Sequence, residues 1–207
     1  MKKVINLFGS GVLLFCAIFL LNSCNNADSN KMTTDSTTNV STIDTNTVVT
    51  PEAAPVSTKL TDPEIASVAV TADQIDIDYA MIAKTKGTTA AVKEFAKTMA
   101  KDHQSVNDKA VALVTKLGVT PLDNPTTQSL LAGATTMKAN LNSLSGAAFD
   151  KAYIDNEVAY HKAAIDLVEN KLIPDATNAD LKALLQSALP IFKEHLAHAE
   201  MVQKNLK

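Results

Sequence analysis

Three stretches of this chain place a histidine in the middle of an otherwise apolar helical seam, and nothing else in the sequence constrains the fold as strongly. In the stretch 149–172, FDKAYIDNEVAYHKAAIDLVENKL, residues Ile154, Val158, His161, Ile165, Val168 and Leu172 recur at alternating steps of four and three. That spacing puts all six on one stripe of a helix, the stripe that turns toward a partner. Ala96, Met99, His103, Val106, Ala110, Leu113 and Leu117 form a second seam. Leu181, Leu185, Ala188, Phe192, His195, Ala199, Val202 and Leu206 form a third. Stripes of this kind must be buried against one another, so the expected fold is all-α.

The starts and stops of the helices give the connectivity. Thr61-Asp62-Pro63-Glu64 opens a first helix, with a capping residue, a proline in the first turn and a glutamate three residues after Thr61. This helix runs to Lys86 and stops at Gly87, with a break near Thr71 as the alternative. Ile65, Val68, Ala72, Ile75, Tyr79 and Ile82 form its apolar stripe, and Asp76 sits on the flank. Thr88 or Thr89 caps a second helix that ends at Leu117-Gly118. The tight turn at Gly87 makes these two antiparallel. After a Pro/Asn/Gly-rich break, 126–142 reads as a shorter helix with Leu130, Leu131, Ala134, Met137 and Leu141 inward. Ser145 caps the helix of His161, Pro174 terminates it, and Asn178 opens the last helix, in which Pro190 is expected to produce a bend. Two helical hairpins joined by a long connection define a ferritin-like four-helix bundle, here with a crossover that carries an extra short helix. An up-down bundle with a fifth helix lying across it is the alternative.

The N-terminal region reads as an address. Lys2 and Lys3 precede an apolar run at 12–21, too short for a mature transmembrane helix, and the run ends in Leu21-Asn22-Ser23-Cys24. This resembles a bacterial lipobox, which predicts a signal peptide over 1–23 and lipidation of Cys24; an ordinary secretory signal is the alternative. Asn25 follows the cysteine where an Asp could stand, and the resemblance to lipoproteins of two-membrane bacteria implies the periplasmic side of the outer membrane. Cys16 and Cys24 are the two cysteines of the chain, so the mature domain has no free thiol for catalysis, zinc binding or a disulfide. Residues 24–60, rich in Thr, Ser and Asn, are expected to form a disordered tether, with the bundle occupying 61–207. Without Lys2 and Lys3, 17 lysines face 22 acidic residues, arginine is absent, and no basic cluster lies on one face. That argues against nucleic acid as a partner. The expected partners are the membrane, through the lipid, and an envelope component whose identity the sequence does not give.

Asp76-Ile-Asp-Tyr, Met99-Ala-Lys-Asp-His103, Phe149-Asp-Lys-Ala-Tyr153, His161 and Leu189-Pro-Ile-Phe-Lys-Glu-His195-Leu occur in this order along the chain. Together they resemble the bacterial DUF4142 family (domain of unknown function). The resemblance implies a ferritin-like fold and export, and it supplies no reaction. The family usually carries Glu where this chain has Asp76 and Asp78, so a ligand role at Asp76 must be met by a side chain one methylene shorter.

The histidines support two readings. His103 and His161 lie at the middle of their helices, and Asp76 and His195 within two or three residues of theirs. At 1.5 Å per residue all four fall within roughly 5 Å of one level. In the first reading His103, His161, His195 and Asp76 hold one transition-metal ion (zinc, manganese or iron), with redox activity in envelope stress as the corollary. Glu157 then orients His161 from outside, and Tyr79, Tyr153 and Tyr160 are hydrogen-bond partners nearby. In the second reading the layer is structural, each histidine paired with a polar group to fix helix register, and the domain is a non-catalytic binding module. Three residues before the histidines stand Ala100, Val158 and Phe192, so the Glu-x-x-His motif of carboxylate-bridged di-iron proteins is missing. Asp102, Glu194 and His198 are expected to face solvent, His198 paired with Glu194. There is no Gly-rich phosphate loop, nucleophile elbow or Ser/His/Asp arrangement, and no catalytic residue is assigned.

Overall fold

The computed structural model describes residues 59–206. The expected signal peptide, Cys24 and nearly all of the tether lie outside the described residues. Within them the chain forms helices α1 (Asp62–Lys86), α2 (Ala90–Leu117), α3 (Pro125–Ser143) and α4 (Gly146–Leu167), a π turn (Val168–Leu172), a single turn α5 (Ile173–Asp175), and α6 (Ala179–Asn205). No helix among them is long and apolar enough to cross a membrane.

Most of the long helices begin where short polar side chains satisfy the first free amides; at α4 the expected cap, Ser145, holds the cap position but its side chain makes no capping hydrogen bond. Thr61 and Glu64 form a reciprocal capping box at α1, and Thr89, Asn124 and Asn178 accept from Val92, Thr127 and Leu181 at α2, α3 and α6. Gly118 ends α2 with φ of 64°, the left-handed region that glycine enters without steric cost. α1 runs unbroken past Thr71, and α6 continues through Pro190. The rod containing α4 reaches one residue beyond Pro174. Its π turn precedes that proline, placing the ring in the first turn of α5, where no amide is required.

α1, α2, α4 and α6 form the four-membered bundle, each packed on two antiparallel neighbours: α1 on α2 and α4, and α6 on α2 and α4. α3 is the crossover. It starts beside the N-terminus of α1, where Ser67 and Thr127 are hydrogen-bonded, and ends beside the C-terminus of α1, where Lys86 donates to the carbonyls of Leu141 and Asn142. It therefore runs the length of the bundle outside α1, so that α2 and α4 point the same way. This is the ferritin-like topology. Covered by α3 as well as by α2 and α4, α1 buries an arc wider than its expected stripe, with Ser67, Asp73 and Ile77 inside. α3 buries Thr127, Ala134 and Leu141, seven residues apart, while Leu131, expected inward, is exposed. A single-sided helix needs only a narrow stripe.

Each hairpin clamps the loop of the other. Asp150 in α4 accepts hydrogen bonds from the Thr88 amide and hydroxyl and the Thr89 amide. At the opposite end, Asp62 in α1 accepts from the Thr177 amide and hydroxyl and the Asn178 amide. Burial opposes ionisation at both, but these donors prevail and hold both carboxyls below the usual range. The core lies in two clusters. One surrounds Phe95, Met99, Phe149 and Tyr153 toward the Gly87 end; the other surrounds Ile65, Val68, Leu172 and Leu185 toward the opposite end. The histidine layer separates them.

Candidate metal centre

The three seam histidines do share one layer. Their ring centroids are 5.1–5.5 Å apart, and each offers a ring nitrogen within 4.8 Å of those of the others. All three are buried, and Asp76 sits among them at 0 % exposure.

One nitrogen of each ring is committed to a fixed acceptor. His103 Nδ1 donates to Asp73 Oδ1 at 2.8 Å, His161 Nδ1 to the Glu157 carbonyl at 2.9 Å, and His195 Nε2 to Asp102 Oδ2 at 3.2 Å. Because a carbonyl or carboxylate only accepts, these bonds place the proton and set the tautomer. In the neutral rings, lone pairs remain on His103 Nε2, His161 Nε2 and His195 Nδ1. His195 Nδ1 is buried without a hydrogen-bond partner, as are both oxygens of Asp76.

Three atoms of the layer converge. His103 Nε2 and His161 Nε2 are 3.4 Å apart, and Asp76 Oδ2 lies 3.4 Å from the first and 3.6 Å from the second. These separations exceed those of normal hydrogen bonds. They match the edges of a coordination tetrahedron, where metal–nitrogen bonds of about 2.0–2.1 Å put ligands about 3.3–3.4 Å apart. Phe192 stacks on His103 with centroids 5.3 Å apart and planes within 7°, fixing that ring on its apolar side.

The electrostatics follow from burial against the acids. Burial alone would lower His103, but the carboxylates of Asp76, Asp73 and Asp102 outweigh it and raise the ring above its ordinary range. Asp73 is itself raised by burial, against the His103 hydrogen bond; the proton they share rests on His103 Nδ1. His161 is lowered by burial, and His195 is lowered to about 4, by burial and then by the charge of His103. Glu157, 0 % exposed with both carboxyl oxygens lacking a hydrogen-bond partner, is pushed well above its usual range by burial and by Asp76.

Several expectations around the centre need correction. The Glu157 carboxylate stands 3.6 Å from His161 Nδ1, and it is the backbone carbonyl of Glu157 that orients the ring. None of the three tyrosines is hydrogen-bonded to a histidine. Tyr160 donates to the Ala72 carbonyl at 2.9 Å, Tyr79 packs edge-on against Tyr160, and the buried Tyr153 hydroxyl has no hydrogen-bond partner. Asp102, expected in solvent, reaches His195 because α2 packs on both α1 and α6, so neighbouring positions of α2 face two different helices. His198 is half-buried with its ring edge-on to Phe95, 5.1 Å away. Asp73 joins the site without having been expected there. Its place three residues before Asp76, on the same helical face, was the signal available.

Fold and site together define a ferritin-like helical bundle with a buried His₃/carboxylate layer between two apolar cores. The family described as Domain of unknown function (DUF4142) matches residues 47–202, and the chain belongs to that family. No curated protein sequence matches it significantly. Among solved structures it is similar to "CopM in the Cu(II)-bound form", with a TM-score of 0.57 and 14% identity over 72% of this chain and 99% of that one. At that identity the likeness is one of fold.

Proposed function

We propose that the domain binds one divalent first-row transition-metal ion through His103, His161, His195 and Asp76. The observation that carries this reading is the convergence of His103 Nε2, His161 Nε2 and an Asp76 carboxylate oxygen with no hydrogen-bond partner, at 3.4–3.6 Å in a fully buried layer. Like-signed lone pairs held that close are favourable only with a cation between them. A proton on His103 fills that role incompletely, since it would draw its acceptor to hydrogen-bond distance. Asp73, Asp102 and the Glu157 carbonyl fix the donor rings from behind, as the outer partners of metal-bound histidines do.

Three imidazoles and a carboxylate suit Zn(II), Mn(II), Fe(II) or Cu(II), and the general affinity order puts Cu(II) and Zn(II) ahead of the others. The similar solved structure is of a Cu(II)-bound protein, which supports including copper. The bound ion would supply Lewis acidity or, if copper or iron, one-electron chemistry. The domain would act at the cell envelope, held by a lipid on Cys24 and the tether of residues 24–60; Cys24→Ala is then expected to release the protein from the membrane fraction.

The decisive experiment is elemental analysis of the full chain, purified without a histidine tag and offered each metal in turn. One ion per chain is expected, with uptake lost in His161→Ala. Wild-type protein that folds but takes up no metal would overturn the reading and leave the layer the register-fixing role of its cross-helix hydrogen bonds.

A further inference from the structure

Directly beyond the histidine layer, in the half of the bundle away from Gly87, α1, α2, α4 and α6 leave a cavity of about 50 Å³. Its walls include Val68, Val106, Ala110, Val168, Leu185 and Ala188, all buried. Asp73 and His103 border it on the side of the layer, and Asp73 is already engaged by His103 Nδ1. A water molecule needs roughly 10–15 Å³ of such space and two to four polar partners. The cavity offers the volume of several waters, but its polar lining is limited to Asp73, His103 and Tyr160, each already hydrogen-bonded, and cavities lined mostly by apolar side chains take up apolar atoms.

Two local features account for the space. The walls on α1, α2, α4 and α6 include Ala69, Ala72, Ala110, Ala164 and Ala188, too small to meet across the centre. The π turn at Val168–Leu172 alters the helical register where α4 would otherwise continue toward α6. On the α1–α4 side, the Tyr160 hydroxyl donates to the Ala72 carbonyl, tying the two helices together at the edge of the cavity.

We propose that this cavity is a binding site for one small, uncharged apolar molecule of the size of dioxygen, held against the ring of His103. The lining is apolar except at Asp73, His103 and Tyr160, which already hydrogen-bond to one another or to backbone, so it favours an uncharged apolar guest, while the volume excludes anything beyond a few heavy atoms. The site does not require a metal ion, so its fate is separable from that of the metal reading.

Xenon is the probe. Titrating dissolved xenon into the metal-free full chain is expected to shift the methyl resonances of Val68, Val106 and Val168 saturably. Methyls of Val92 and Ile154, beyond the layer, should show only the weak linear drift of nonspecific contact. Ala188→Leu, which fills the space, is expected to fold with unchanged helicity and abolish the saturable shift; Ala110→Leu serves the same purpose should that variant fail to fold. His161→Ala, defective in metal uptake, is expected to retain it. No saturable shift in folded wild type, or an unchanged shift in a folded cavity-filling variant, would overturn the proposal even with metal binding intact.

Discussion

The two halves of the bundle share the same four helices but are packed by different means. Toward Gly87 the core is built on large rings, with Phe95, Phe149 and Tyr153 fully buried and both phenylalanines packed on Tyr153. Toward the other end it is built on Val, Leu, Ile and Ala, Phe192 being the one ring of that cluster, and it retains a cavity and a π turn. The layer of His103, His161, His195 and Asp76 lies between them. A dense half can hold a donor set in register, and a looser half can admit something to it.

The largest expected effect belongs to the layer itself. Saturating wild type with Zn(II) or Cu(II) at about a hundred times Kd should add about 3 kcal/mol, roughly 6–12 °C in melting temperature. His161→Ala should show no metal-dependent shift by calorimetry. A matched pair of variants then contrasts the halves. Ala96→Leu, in the dense half at 0 % exposure, forces extra atoms into filled space and should cost about 1–3 kcal/mol. Ala188→Leu, on the cavity wall, should be neutral or stabilising in denaturant titrations; an equal loss at both sites would break the contrast.

The loop clamps at the two ends should be less sensitive to the half they serve. Asp150→Ala and Asp62→Ala each strand backbone amides of an inter-helix loop, and about 1–2 kcal/mol is expected from either. Both carboxyls are held below their unfolded range, so their contribution is full above pH 4 and is lost as pH falls through the folded values. Wild type should therefore lose its advantage over these variants in strong acid.

The smallest effect is at Glu157, whose carboxyl is raised well above its usual range. A raised acid stabilises the fold below its unfolded pKa, near 4.5, and that contribution is lost as pH rises toward the folded value. Glu157→Gln keeps the shape of the neutral acid. In the metal-free chain it should match wild type at pH 4 and exceed it by a few degrees at pH 8, measured by thermal melts.

Much of this is legible in the residues alone. The seams of α4 and α6 are buried almost residue for residue as their spacing requires, because a helix that packs on its neighbours with one stripe shows that stripe as a strict 3.6-residue period. The stripe expected of α1 is too narrow. A helix enclosed on three sides buries most of its circumference, and no single period reports that. The donor set is legible too, since a polar residue at a seam position must turn inward with the seam. The acceptors behind it are not: Asp73 and Asp102 look like any other acids until α1 and α6 bring them within hydrogen-bond reach of His103 and His195.

The sequence by itself determined the main helices, most of their caps, their pairing into hairpins and the height at which three histidines and an aspartate sit, all consequences of local periodicity and chain geometry. Only the tertiary structure decided which nitrogen of each ring is free, that the clamps at Asp62 and Asp150 exist, and that one half of the core is left unfilled. Those features depend on side chains from different helices meeting within a few tenths of an ångström. A linear pattern fixes which face a residue takes and how high it stands, but not what stands opposite.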